Sequence, residues 1–126
     1  MKFFSIILFL SFNLAIQAQQ DSVVNKKHLP YILFEKTFYN FGTLEYGSDA
    51  TYYFEFINTG KTPLIINKCE PSCGCTVADW SKEPIKKNHK GSIKVRYNTT
   101  LAGSFVKTIT VISNAQNSPV ILTIQG

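Results

Sequence analysis

The chain has 126 residues, room for one domain and too few for two. Thirteen Lys and Arg against eight Asp and Glu leave a formal charge of +5, an excess that favours weak contact with anionic surfaces and little else. Neither the helix signals nor the interleaved aromatics that a reader of bases needs are present, which argues against a nucleic-acid partner.

The first segment, "MKFFSIILFLSFNLAIQAQQ", has a charged start at Lys2, an apolar run from Phe3 to Phe12, and small Ala15 and Ala18. That layout predicts a secretory signal over residues 1–18, cut after Ala18. The apolar run of about ten residues falls short of the roughly 20 that span a bilayer, so no transmembrane segment is expected. No cysteine follows the cut to accept a lipid. The expectation is an exported protein, periplasmic or extracellular, whose charge drops to +4 with the loss of Lys2.

Residues 19–32, "QQDSVVNKKHLPYI", are polar with one proline and read as a leader or linker. The stretch "ILFEKTFYNFGTL" is rich in aromatics and ends in turn chemistry. "ATYYFEFINTG" alternates: Tyr52, Phe54 and Phe56 share one face and Thr51, Tyr53 and Glu55 the other, the period of a half-buried strand. Asn58 to Lys61 predict a turn, with Gly60 free to take positive φ. "TPLIINK" follows, its Pro63 suited to a strand start. "VADWSKEPIKKNHK" reads as polar and irregular. "GSIKVRYNTT" alternates again, with Ile93, Val95 and Tyr97 on the inner face. "SFVKTITVISNA" and "PVILTIQ" are β-branched and joined by a turn between Asn114 and Pro119.

About seven strands, with turn signals every 8 to 12 positions, predict an all-β, immunoglobulin-like sandwich over residues 33–126. Phe105, Val120, Leu122 and Ile124 join the alternating residues as the expected core.

All three cysteines fall in "CEPSCGCT", residues 69–76. In an exported chain paired cysteines are the default, and an odd count leaves one thiol over. Cys69–Cys73 and Cys69–Cys75 can both close after a turn, whereas Cys73–Cys75 closes a small ring over one glycine, which suits reducibility better than structure. A metal reading takes Cys69, Cys73 and Cys75 with His89 as fourth ligand, but the spacing lacks the paired C-x-x-C arrangement of zinc ribbons. A redox reading needs a thiol of lowered pKa; Lys68 is adjacent to Cys69, and Glu70 opposes its effect.

Other catalysis finds no pattern: His28 and His89 are the only histidines, and no Ser-His-Asp order or carboxylate pair stands out. The chain reads as a non-enzyme without a cofactor. Between residues 82 and 96 lie Lys82, Lys86, Lys87, Lys90, Lys94 and Arg96 against one acid, Glu83. These basic residues suit either an anionic partner or a solvated sheet edge protected by lysines.

In their order, "FGTLEYG", "FEFINTGKTPLII", "SCGCTVADW", "EPIKKNHKGSIKVRYNT" and "KTITVISNA" resemble a bacterial family of exported domains of unknown function marked by a Ser-Cys-Gly-Cys-Thr motif. That family is similar to immunoglobulin-like modules of the Hydin and major-sperm-protein type. The resemblance implies the sandwich, export, and a recurring Cys73–Cys75 pair, with Cys69 an addition. "KNHKG" stands where the family carries a Pro-Gly turn. The combined expectation is a non-catalytic binding or structural module of the cell envelope, with a protein or an envelope polymer as partner. Trp80 and the cysteine loop form the expected contact end, and Lys86, Lys87, Lys90, Lys94 and Arg96 a second surface. The alternative is a metal or thiol redox site at the same loop.

Overall fold

The computed structural model describes residues 26–126. The signal-like segment 1–18 and residues 19–25 of the expected leader lie outside the described residues. A short 3-10 turn, Lys26–His28, leads into eight strands: β1 (Ile32–Phe34), β2 (Phe38–Asn40), β3 (Ala50–Asn58), β4 (Ile66–Pro71), β5 (Thr76–Trp80), β6 (Lys90–Tyr97), β7 (Val106–Ser113) and β8 (Val120–Gln125). They form two four-stranded sheets, one in the order β1-β3-β6-β5 and the other β2-β8-β7-β4.

The alternation in β3 and β6 builds the first sheet. Their antiparallel register sets Tyr52 opposite Val95 and Phe54 opposite Ile93, so one apolar face turns inward. Ile109 and Val111 of β7 and Leu122 and Ile124 of β8 face them from the second sheet. Phe54, Ile93, Val95, Ile109, Leu122 and Ile124 are fully buried, and burying each such side chain contributes roughly 1.5 to 3 kcal/mol.

Eight strands stand where about seven were expected because the first aromatic stretch is split between the sheets. β1 pairs antiparallel with β3, the chain crosses at Lys36 and Thr37, and β2 then pairs in parallel with β8. Ile32, at the end of the expected leader, already lies in β1 and is buried, as is Pro30 before it. The irregular reading of residues 77–80 is also corrected, since they form edge strand β5 beside β6.

Gly60 is not a positive-φ residue; those are Gly42, Gly47, Gly103 and Asn88. It is needed for closeness instead. A Cβ on Gly60 would lie 2.4 Å from Pro30 Cα and from the Tyr31 nitrogen, so the incoming chain lies directly on the turn. Asn88, at φ 63, makes the turn in "KNHKG"; asparagine tolerates this region better than most residues.

Candidate functional site

The β2–β3 loop (41–49), the β4–β5 corner (72–75) and the β6–β7 loop (98–105) converge at one end of the sandwich. The register explains it: Tyr97 at the end of β6 sits opposite both Ala50 at the start of β3 and Thr76 at the start of β5.

The corner carries the chain from one sheet to the other. Ser72 ties it to β7, its N–H donating to the Thr108 carbonyl at 2.8 Å while its Oγ accepts from the Thr108 N–H at 3.1 Å. The Asn98 N–H donates to the Cys75 carbonyl at 2.9 Å from the other side. Cys73 and Cys75 are joined as a disulfide with Cα atoms 5.3 Å apart, so neither bridge to Cys69 forms. Cys69 belongs to β4 and not to the loop. A bulge between Ile66 and Lys68 lets both Ile66 and Cys69 face inward, leaving Cys69 a buried free thiol. Burial pushes its pKa from 9.0 to about 12, with Lys82 pulling weakly the other way. Such a thiol is protonated and inert at neutral pH.

Trp80 has an inward place. Its ring packs against the core, its indole N–H donates to the Ile66 carbonyl at 3.3 Å across the seam between β5 and β4, and the Lys82 ammonium sits 3.1 Å from the ring centroid. This side chain closes the seam; only part of it reaches the surface.

The basic residues do not form one patch. Lys90 opens β6 and lines an apolar recess with Leu33, Glu55 and Ile57. Lys94 lies mid-strand, opposite Tyr53 and Asp79, and leans toward the Tyr53 ring at 5.9 Å. Arg96 is at the cysteine end, about 20 Å from Lys90 at about 3.4 Å per residue. Lys86 and Lys87 lie in the exposed 81–89 loop at the opposite end. His89 is there too, its carbonyl accepting from the Asn58 N–H, so the eight residues of β6 separate it from the corner and it cannot join the cysteines as a ligand. Among the described residues no three His, Cys, Asp or Glu side chains gather as a metal site.

What the cysteine end does hold is concave. A groove of about 560 Å³ runs between the 41–49 and 98–105 loops. Its floor is the stacked pair Tyr97 and Phe105, with centroids 3.6 Å apart. Tyr46 stands 81 % exposed at its rim and Leu101 48 % exposed. Asn40, Thr43, Thr99, Ser104 and Gln125 add hydrogen-bonding groups, and no Asp, Glu, Lys, Arg or His side chain lines it. A second groove, of about 390 Å³, lies on the other side of the 98–100 turn and is lined by Cys75, Gly74 and Arg96. Sequence reasoning located the cysteine end but missed Tyr46 and Leu101. Their signal was available as large apolar side chains set among turn residues, "EYGSD" and "TTLAGS", where no core is at hand.

Two packed β-sheets with one loop-built concave end define an immunoglobulin-like module. A family model described as "Protein of unknown function (DUF1573)" matches residues 32–126, and the chain belongs to that family. No curated protein matches the sequence. Among solved structures, the chain is similar to a protein of unknown function from Porphyromonas gingivalis W83, at TM-score 0.73 and 15 % identity over 84 % of this chain and 50 % of that one. It is also similar to the VesB protease of Vibrio cholerae, at TM-score 0.60 and 14 % identity over 75 % of this chain and 31 % of that one. The YadV chaperone matches at TM-score 0.53 and 13 % identity, over 75 % of this chain and 50 % of that one. At these identities the likeness is one of fold. The chain spans half or less of each of these structures.

Proposed function

We propose that this protein is a non-catalytic binding module of the bacterial cell envelope, exported by its N-terminal segment, that holds an uncharged polymer in the groove at its cysteine end. Its likeness to Hydin-type modules belongs to the same reading. The observation that carries it is the lining of the groove. An exposed flat ring at Tyr46 and an apolar Leu101 stand beside five neutral hydrogen-bonding side chains, with no charged one. Sites for small or extended ligands combine apolar contact area with a few polar groups that fix orientation. A sugar ring matches that pairing, because it presents an apolar C–H face to an aromatic ring and hydroxyls at its edge. A neutral glycan therefore fits better than an acidic polymer, which would meet no cation in this groove.

The occurrence of the fold within longer chains supports a modular role. The test is amide-resolved NMR titration of the protein with short neutral N-acetylglucosamine oligomers, against acidic oligosaccharides of equal length. Shifts confined to Tyr46, Leu101 and the 98–105 loop, lost in Tyr46→Ala, are expected. Shifts only at the Lys86–Lys90 end, or only with the acidic oligomers, would overturn this reading.

A further inference from the structure

The Cys73–Cys75 bridge does little for the stability of the corner. Loop-closure stabilisation grows with the length of chain enclosed, and this bridge encloses a single glycine. Ser72 and Asn98 already fix the corner to both neighbouring strands. The two sulfurs also differ in their surroundings. Cys75 lines the groove that Arg96 borders, with Gly74 exposed beside it, and Cys73 does not line it. Cys73 Sγ instead accepts from the Cys75 backbone N–H at 3.3 Å. The Thr76 hydroxyl, on a residue only 3 % exposed, lies 3.9 Å from each sulfur.

We propose that this bridge is a thiol-exchange site: a small, carboxylate-bearing thiol enters the groove beside Arg96 and attacks Cys75, and Cys73 is the sulfur that leaves. The site shares Tyr97 and Thr99 with the neutral groove but opens on the other side of the 98–100 turn, and the proposal does not depend on what that groove binds. The incoming thiolate places its electron pair on Cys75 Sγ, forming a new S–S bond. The Cys73–Cys75 bond breaks, and its electron pair departs on Cys73 Sγ. The products are a mixed disulfide on Cys75 and a thiolate on Cys73, which takes a proton from water. A second molecule of the same thiol attacks the mixed disulfide and releases the small disulfide, leaving both cysteines reduced and two small thiols oxidised.

Each assignment follows from the surroundings. Exchange proceeds in line with the bond being broken; both sulfurs are half-buried, and of the two only Cys75 lines the groove by which the thiol enters. The leaving sulfur gathers charge, and Cys73 has an N–H aimed at it with a hydroxyl close by to stabilise that charge. Arg96 is the only charged side chain lining the groove. In the recess beyond it, Lys94 and Asp49 offset each other, and the Asp49 carboxylate accepts from the Thr51 hydroxyl at 2.5 Å. Within the groove itself Arg96 therefore supplies the charge that an anionic thiol meets, with Asp79 lying beyond it opposite Lys94. Cys69, buried in β4, takes no part.

The experiment treats the oxidised, whole protein with 3-mercaptopropionate, 2-mercaptoethanol and cysteamine. Rates are normalised to thiolate, reactions are quenched in acid, and adducts are mapped by peptide mass spectrometry. The adduct is expected on Cys75, with the anionic thiol about fivefold faster than the cationic one. Arg96→Gln should bring the two rates together, and added salt should do the same in the unaltered protein. Thr76→Val should slow all three thiols while keeping their order. An adduct on Cys73, or rates that ignore the charge of the thiol at low salt, would overturn the proposal. Because the salt series needs no variant, a misfolded Arg96→Gln protein leaves the result decided.

Discussion

The side-chain amide of Asn58 donates to the Ile85 carbonyl at 2.9 Å, joining the end of β3 to the middle of the β5–β6 connection. The same amide donates to the Thr62 carbonyl at 2.8 Å, and its oxygen accepts from the N–H groups of Gly60 and Tyr31. Asn58 is fully buried and has each of these groups matched. Four backbone groups from three segments thus meet on one side chain that presents two donors and an acceptor.

Asn58→Ala should therefore lower stability by about 3 kcal/mol, because it leaves the Thr62 carbonyl and the Gly60 and Tyr31 N–H groups without this partner, at about 1–3 kcal/mol for each that is buried, while the Ile85 carbonyl keeps its bond from the Leu64 N–H. Urea titration followed by tryptophan fluorescence measures it through Trp80. A loss under 1 kcal/mol would mean that water reaches this end of the sandwich and replaces the amide.

Gly60→Ala should also be damaging, for a different reason. The added methyl would lie 2.4 Å from backbone atoms of Pro30 and Tyr31, which cannot swing aside as a side chain tip can. Overpacking of this kind costs about 1–3 kcal/mol. Gly74→Ala, whose Cβ meets nothing within 4 Å, is the matched control and should fall within about 0.5 kcal/mol of the unaltered protein. Thermal melts of the two variants separate the explanations: equal losses would point to glycine's backbone freedom and not to close approach.

These two residues show where the sequence was legible and where it was not. β3 and β6 announce themselves because each carries three large rings or aliphatic side chains inward at period two, Tyr52, Phe54 and Phe56 against Ile93, Val95 and Tyr97, and the register between them follows. β5 hid because its inward residues, Thr76, Ala78 and Trp80, are small, polar or amphipathic, as an edge strand permits. The division of β1 from β2 has no local signal either. The chain changes sheets at Lys36 and Thr37, and the pairing that decides this comes from β3 and β8, far along the chain. Asn58 and Gly60 were visible as turn residues, yet their work depends on Pro30, Tyr31 and Ile85, which only the fold brings near. The cysteine end was foreseeable from its motif. Cys69's place in the core was not, because a bulge shifts the alternation in β4 just before it.

Alkaline pH should weaken the fold through Cys69. Its folded-state pKa of about 12 stands above the ordinary 9.0, so the folded chain keeps a proton that the unfolded chain releases. The stability this represents is whole below about pH 9 and is lost as pH rises toward 12, by up to about 1.4 kcal/mol per pH unit. Other titrating groups are common to the unaltered protein and Cys69→Ala, so the difference between their urea midpoints isolates the thiol. The advantage of the unaltered protein should shrink between pH 8 and pH 10.5, and a constant difference would mean that Cys69 ionises as easily folded as unfolded.

Trp80→Ala should open the seam over that thiol. With the ring gone, the Ile66 carbonyl loses its indole donor, Lys82 loses the surface it covers, and the space between β4 and β5 admits solvent to the interior near Cys69. Removing a packed Trp costs about 3–5 kcal/mol when it is fully buried, and this half-buried one should cost about 2–3. The sharper reading is chemical. In the unaltered native protein iodoacetamide should leave Cys69 unmodified until denaturant is added, with the Cys73–Cys75 pair unreactive as a disulfide. In Trp80→Ala one alkylation should appear under native conditions, faster as pH rises because thiolate is the reacting form. Trp80→Phe, which keeps a ring in the seam and drops only the indole N–H, should preserve most of the protection. If it alkylates as readily as Trp80→Ala, the hydrogen bond to Ile66 and not the ring is what holds the two sheet edges together.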